Sequence, residues 1–569
     1  MSVTPYLRSS PQSQDFIDVF YGLCRRPNAR GDQFRDMRNM TSDMFPYAAC
    51  RKERALTRKI PRGSALLGGD RLCWAADGAL FYDGRAVCAL SAGEKRLIRM
   101  GAYIVALPDK ILYNTHTGEK TDMDQENVVT DGVRARPCML SGQEYGYTAA
   151  PAAPENPASG DYWHNTESGG FYQYLGGRWQ GLDTVYTRLE GANIGRGIKE
   201  YDVVTLRGFV CEELNGEGVT VYARGDNYLV IATGTIRDYT ETARVTVSRR
   251  APEMDFAIES NNRLWACSNQ THEIFASKLG DATNWQSYLG ISTDSYAATV
   301  GSEGAFTGAF TYLGYPTFFK ENAVIRVYGT QPANFTFSEL PARGVRSGAE
   351  RSLCVAGERL YYLSRDGMTA FDGSAARRVD EALFDLRMTG AVCGSHNGKL
   401  YAGVETQERG GLYVYDTEKD LWHYEDETLP LAFAGTPEGD YMLTKDALYL
   451  LDGGKSRYES ADARAEGELD WMCETGEMGV EQPNHLWIKR VLIRLELRRG
   501  ARVCVDVACD GGAWERRAVI ETEGKKTVSI PARLTRCERF ALRVSGRGRA
   551  VISGISRVYE KGSERARGR

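Results

Sequence analysis

Apolar residues in this chain come in short runs, many of them alternating with polar positions. Stripes at a spacing of 3.6 residues are scarce, so the pattern predicts strands rather than helices. One unit recurs: an apolar strand ends in a tight turn, and a second strand ends in aromatic-Asp-Gly or a close variant. It stands at 71–84, 103–118, 263–280, 316–330, 359–373, 399–417 and 440–453. The last four closing turns lie about 36–45 residues apart, the period of a four-stranded propeller blade. Dipeptides such as Asp77-Gly78 and Asn397-Gly398 supply the positive φ that a two-residue hairpin turn needs. Further apolar runs, Leu421-Trp422-His423-Tyr424 and Phe335-Thr336-Phe337, suit outer strands. A lone blade cannot bury both of its faces, whereas a ring of blades can.

The pattern therefore predicts an all-β chain: a β-propeller of about seven blades, within six to eight, with an inserted β domain and a C-terminal β-sandwich. The propeller is expected at 61–145 and 251–460. The insert, 146–250, begins at a Pro/Ala-rich stretch that reads as an exposed linker. The sandwich is expected at 464–558, from alternating runs such as Val503-Cys504-Val505-Asp506-Val507. A polar basic tail, 559–569, follows it, and a loop-rich basic arm, 1–60, precedes the propeller.

With 31 Tyr, 19 Phe and 9 Trp in 569 residues, the chain has ample material for large cores, which excludes global disorder. The net charge of −4 hides a segregation. Residues 1–60 carry 11 Lys/Arg against 6 Asp/Glu, and 481–569 carry 21 against 10. The middle is left with 39 against 59. An acidic body thus bears two basic ends, an asymmetry that concerns partners rather than fold. The start lacks the apolar core of a secretory signal, and no apolar run approaches the ~18 residues of a membrane-spanning helix.

Candidate chemistry is sparse. The 13 Cys are scattered, Cys504 and Cys509 being the closest pair relevant to a paired site, and none has CxxC spacing. The six His stand apart. No metal or cofactor is expected, and the thiols read as reduced in a cytosol-assembled protein. There is no GxSxG elbow, HExxH, P-loop or dinucleotide fingerprint. Asp510-Gly511-Gly512-Ala513-Trp514 is a poor, single copy of a sialidase Asp-box, and the triplets at 30–32 and 224–226 are explained by composition. The expectation is that the chain is not an enzyme. Two groups stand out as contact residues. Arg25, Arg26, Arg35, Arg38, Arg51, Lys52 and Arg54 in the arm, which reads as loop-rich with one short strand at each end, could dock a neighbouring subunit, or the arm could simply wrap and close the ring, as an N-terminal strand often must. Trp163, Tyr172 and Trp179 could stack on sugar faces or form the core of a small module.

Several stretches resemble structural tail proteins of tailed bacteriophages. They are Tyr21-Gly22-Leu23-Cys24-Arg25-Arg26, then Gly31-Asp32-Gln33-Phe34-Arg35-Asp36-Met37-Arg38-Asn39-Met40, then Tyr47-Ala48-Ala49-Cys50-Arg51-Lys52. Gly280-Asp281-Ala282-Thr283-Asn284-Trp285 and Leu363-Ser364-Arg365-Asp366-Gly367 are similar to the same group. The nearest class is the tail hub or nozzle of short-tailed phages. That resemblance implies a structural protein of the virion tail, assembled in the bacterial cytoplasm as a homo-oligomeric ring, by expectation a hexamer. It implies contact with neighbouring tail or adaptor proteins and transient passage of genomic DNA without sequence-specific binding. An acidic wall would repel the passing phosphates instead of holding them. The rival reading is a receptor- or glycan-binding propeller at the tail tip, and a third is a propeller hydrolase.

Overall fold

A computed structural model describes residues 12–233, 238–407, 410–478, 486–532 and 537–561. Among the described residues the only helical segments are four short 3-10 turns, and the rest of the regular structure is strand. The fold is a β-propeller with an inserted β domain and a terminal β-sandwich.

Seven up-and-down sheets form the blades. Six are continuous in sequence, at 63–89, 96–122, 256–299, 306–340, 354–378 and 388–424. Each recurrent hairpin of the sequence is the middle strand pair of one blade. Cys73–Ala76 with Ala79–Tyr82 is the first and Gly439–Leu443 with Ala447–Leu450 the last. The turns are built as their residues dictate, with Asp77 and Gly78 at φ +48° and +74°.

The seventh blade is assembled differently. Its first three strands are Ala432–Thr436, Gly439–Leu443 and Ala447–Leu450, and its fourth is Ala55–Lys59 from the beginning of the chain. Leu448 lies opposite Arg58, and Leu450 opposite Ala55. Arg464–Ala465 then pairs with the other edge of that N-terminal strand.

The chain divides into two compact units, 1–95 with 319–324 and 340–569, and 96–318 with 325–339. In the first, a cluster of Trp74, Tyr441, Leu443, Leu448, Leu450 and Tyr458 packs the first and last blades. The Trp74 ring stacks on Phe81 at 5.3 Å and meets Tyr458 edge-on at 6.1 Å.

The terminal sandwich also belongs to the first unit, and both ends of the chain build it. One sheet joins Ala550–Lys561, Leu486–Leu497 and Gly524–Pro531 to Gln12–Ile17, Met40–Thr41 and Ala48–Cys50. The other joins Phe34–Arg38 to Asp470–Thr475, Phe540–Arg547, Arg502–Cys509 and Glu515–Ile520. The arm is therefore richer in strands than a loop-rich segment with one short strand at each end. Phe34 and Met37 are 1% exposed, as deeply buried as Val491, Ile493, Val505 and Val544 of the C-terminal strands. The expected tail at 559–569 starts inside a strand that runs to Lys561, and 562–569 lie outside the described residues.

In the second unit, the inserted domain begins at Gln125 rather than 146. Its eight-stranded sheet runs from Gln125–Val129 to Val245–Arg249, over a core that includes Val133, Leu189, Leu206, Val221, Leu229 and Val247. The Pro/Ala-rich stretch lies within this domain, not at its border. At the base, the buried Arg249 guanidinium pairs with the fully buried Asp202 carboxylate.

Replacing Trp74 by Ala is expected to cost about 3–5 kcal/mol, the range for emptying a buried aromatic site. Chemical denaturation of the variant against the parent checks this, and a loss under about 1 kcal/mol would contradict the packing described.

Candidate functional site

A small sheet is nested in the inserted domain, between the strands Val133–Cys138 and Val185–Glu190. Its strands are Tyr147–Ala150, Tyr162–Asn165, Phe171–Leu175 and Arg178–Gly181. The last three run antiparallel, with Trp163 opposite Tyr172 and Tyr174 opposite Trp179. Side chains alternate across a strand, so this register sorts the rings by face.

One face carries Tyr162, His164 and Phe171. It packs with Tyr145, Tyr147, Leu182 and Val185 as the module's core, and its rings touch at 4.6–5.9 Å between centroids for Tyr145–Tyr162, Tyr145–Phe171, Tyr147–Phe171 and Tyr162–Phe171. The other face carries Trp163, Tyr172, Tyr174 and Trp179. Trp163 stacks on Tyr172 at 4.9 Å and meets Trp179 edge-on at 5.6 Å, while Tyr174 meets Trp179 at 5.2 Å. Trp163 is buried, and its Nε1–H donates to the Ala150 carbonyl at 2.9 Å. Tyr172, Tyr174 and Trp179 remain partly exposed.

Two glycine features shape this face. Gly176 and Gly177 turn the last hairpin at φ +60° and +81°, a conformation that favours glycine at both positions. Gly170 leaves the space that the Tyr172 ring fills, since a Cβ there would sit 2.8 Å from its hydroxyl oxygen.

Of the three rings expected from sequence, Tyr172 and Trp179 are accessible and Trp163 supports them from beneath. Tyr174 was missed. Strict alternation from Tyr172 would have placed it on the same face.

The structure puts the arm cations to internal use. Arg51 and Arg54 are 5% and 4% exposed. Arg51 pairs with Glu466 at 2.7 Å, Asp426 at 3.0 Å and Glu425 at 3.6 Å. Arg54 pairs with Asp426 at 3.0 Å and, more closely, with Glu425. Arg25 reaches Asp385 at 2.8 Å, and Arg26 reaches Glu381 at 2.8 Å. Lys52 lies 3.8 Å from Asp452, and Arg35 4.0 Å from Glu477. Arg38 is exposed at the end of its strand. Arg51 and Arg54 are thus fasteners of the arm and offer no free docking surface.

Burial alone would raise Asp426 and Glu466. The charges of Arg54 and Arg51 outweigh it and hold Asp426 below 3.8, and the hydrogen bond and charge of Arg51 hold Glu466 below 4.5. Beside this cluster the buried His396 offers Nδ1 to Asp440 at 2.7 Å and Nε2 to Asp452 at 3.3 Å. Burial pushes its pKa down, but the hydrogen bond to Asp440 and the charges of Asp452 and Asp440 win and raise it above 6.5. Nothing near His396 in sequence announces these partners.

No family model matches the chain, and neither does any curated protein. Solved structures do show similarity. The exo-β-1,3-galactanase of Phanerochaete chrysosporium aligns at 9% identity over 51% of this chain and 92% of its own, with a TM-score of 0.20. Kluyveromyces lactis Hsv2 aligns at 8% identity over 63% and 93%, with a TM-score of 0.24. PorZ of the Porphyromonas gingivalis type-IX secretion system aligns at 12% identity over 86% and 75%, with a TM-score of 0.26. Likenesses this weak assign no activity. They do correct one expectation. Glycoside hydrolases are among the similar structures, so the lack of a familiar catalytic motif does not make this chain a non-enzyme.

Two outcomes follow from the charged groups. Arg54→Ala leaves Glu425 buried without one of its cations and is expected to cost about 3–5 kcal/mol, measured by denaturant unfolding. The stability that Asp426 and Glu466 add is present at neutral pH and lost as pH falls below their ordinary values through their depressed ones. His396 has the opposite sign. Its contribution is complete below pH 6.5 and is lost as pH rises through its raised value, so His396→Gln should flatten the fall in stability on that alkaline side. Parallel unfolding curves for variant and parent across that range would refute this.

Proposed function

We propose that this chain is a glycan-binding β-propeller protein whose contact surface is the ring-bearing face of the nested sheet. The observation that carries the reading is the sorting of rings. One set packs around the buried Phe171 as the module's core, and on the opposite face Tyr172, Tyr174 and Trp179 lie together, partly exposed, with the buried Trp163. Partly exposed aromatics grouped on one face leave apolar surface in water, which a partner can cover, and such patches mark interaction sites. A sugar ring suits them, because its C–H face packs on an aromatic plane while its hydroxyls stay available to water and to the Tyr hydroxyls. The two-residue turn and the core beneath hold the rings in place before any ligand arrives, which lowers the ordering cost of binding.

The resemblance of the N-terminal segments to phage tail proteins gives this function a setting: a virion tail that meets polysaccharide on a bacterial surface. A hub or nozzle ring, with DNA passing through it, is the second reading. It rests on the same resemblance and on the acidic middle of the chain. Reconstruction of the particle distinguishes the two by locating the chain and counting its copies.

The full chain, screened on an array of bacterial and β-linked oligosaccharides, is expected to bind a subset of them. Trp179→Ala and Tyr174→Ala should each weaken that binding about tenfold, some 1.4 kcal/mol, with unfolding behaviour unchanged. Binding that survives the double variant, or no binding at all, would overturn the proposal.

A further inference from the structure

Among the described residues all 13 cysteines are unbridged. Cys504 and Cys509 share the strand Arg502–Cys509, where residues an odd number apart point to opposite faces. The spatial partner of Cys509 is instead Cys537, a residue that sequence spacing gives no reason to choose.

Their approach is set by backbone. Arg502–Cys509 runs antiparallel to Phe540–Arg547 and ends with Cys509 opposite Phe540. Beyond that pair the chains stay joined. The Asp510 N–H donates to the Arg539 carbonyl at 2.9 Å, and the Asp510 carboxylate accepts the N–H groups of Glu538 and Arg539 at 2.9 and 2.8 Å. Asp510 thus holds the residues that directly follow Cys537 beside the end of this strand, which brings the Cys537 thiol into the range of Cys509. Cys537 is 1% exposed, whereas Cys509 is partly accessible. The contact is asymmetric. The hydrogen bond from Cys537 holds Cys509 below the ordinary thiol value of 9.0 and raises Cys537 above it.

We propose that Cys509 and Cys537 form a redox-responsive pair that closes to an intrachain disulfide in the presence of a low-molecular-weight disulfide such as oxidised glutathione. The accessible Cys509, as thiolate, attacks one sulfur of the small disulfide. Its S–S bond breaks, a mixed disulfide forms on Cys509, and one small thiolate leaves. Cys537 gives its proton to water and attacks the Cys509 sulfur, expelling the second small thiolate. One disulfide is reduced, one is formed, and two protein protons are released. Accessibility selects Cys509 as the entry point, since Cys537 is buried.

The position gives the bond a consequence. Between the two cysteines the chain leaves one sheet of the sandwich after Glu515–Ile520, enters the other as Gly524–Pro531, and returns at Phe540–Arg547. A disulfide would close this excursion at its base. It would lock the sandwich by restricting the unfolded chain.

The test equilibrates the full chain in buffers of graded reduced-to-oxidised glutathione ratio, alkylates the remaining thiols and maps the peptides by mass spectrometry. The expected result is a Cys509–Cys537 peptide, two fewer alkylated thiols, and a sandwich that unfolds several degrees higher. Cys504→Ser should keep all three, and Cys509→Ser should abolish them. Thirteen alkylated thiols at every ratio, a bond joining other cysteines, or glutathione retained on Cys509 with Cys537 free would each overturn the proposal. The parent chain alone decides between these outcomes, whether or not the variants fold.

Discussion

The pairing of Ala55–Lys59 with Ala447–Leu450 is the constraint on which the first unit depends. It supplies the last blade with its missing strand and fixes where both ends of the chain must go. Residues just before the closing strand are delivered to the place where the chain leaves the last blade. Arg51 and Arg54 therefore meet Glu466, which directly follows Arg464–Ala465, and reach Glu425 and Asp426 at the end of the sixth blade. The arm has nowhere to lie but against the C-terminal strands, and it becomes part of both of their sheets. The basic character of the two ends acquires a local meaning as well: much of the arm's charge is spent on the acidic groups beside it.

A buried ion cluster is a costly way to gain stability, because each charge gives up water. Arg51 and Arg54 answer three carboxylates from two separate segments, and removing one partner strands the others. A register slip of the closing strand would break these pairs along with the hydrogen bonds of the blade. Apolar packing around Trp74 joins the first and last blades, while the ion cluster ties the arm to the ends of the sixth and last blades.

The blades were legible because each central hairpin is local. Asp-Gly and Asn-Gly turns sit between aromatic-rich strands, and the spacing repeats. Closure of the ring by an N-terminal strand was within reach of the sequence, and Ala55–Lys59 does close it, but the arm's place in the sandwich was not legible for the opposite reason. Gln12–Ile17 and Phe34–Arg38 find their partners more than four hundred residues away, so no nearby turn announces the pairing. The insert was placed too late because Pro and Ala at 149–160 look like a domain border, although the chain had entered the new sheet at Gln125. In the nested module the residue types pointed to the right surface, but a list of rings does not tell a supporting Trp163 from an accessible Tyr174. Strand register does. The His396 carboxylates and the Cys537 partner of Cys509 are products of tertiary proximity and leave no local mark.

Function rests on whether the partly exposed ring face is where a glycan sits. Hydrogen exchange of the full chain, with and without the tightest-binding oligosaccharide from an array, locates the contact without altering a residue. Slowed exchange centred on 162–181, with the blades and the terminal sandwich unchanged, is the expected result. Slowed exchange in the blades or the sandwich, with 162–181 unaffected, would contradict the assignment of the site.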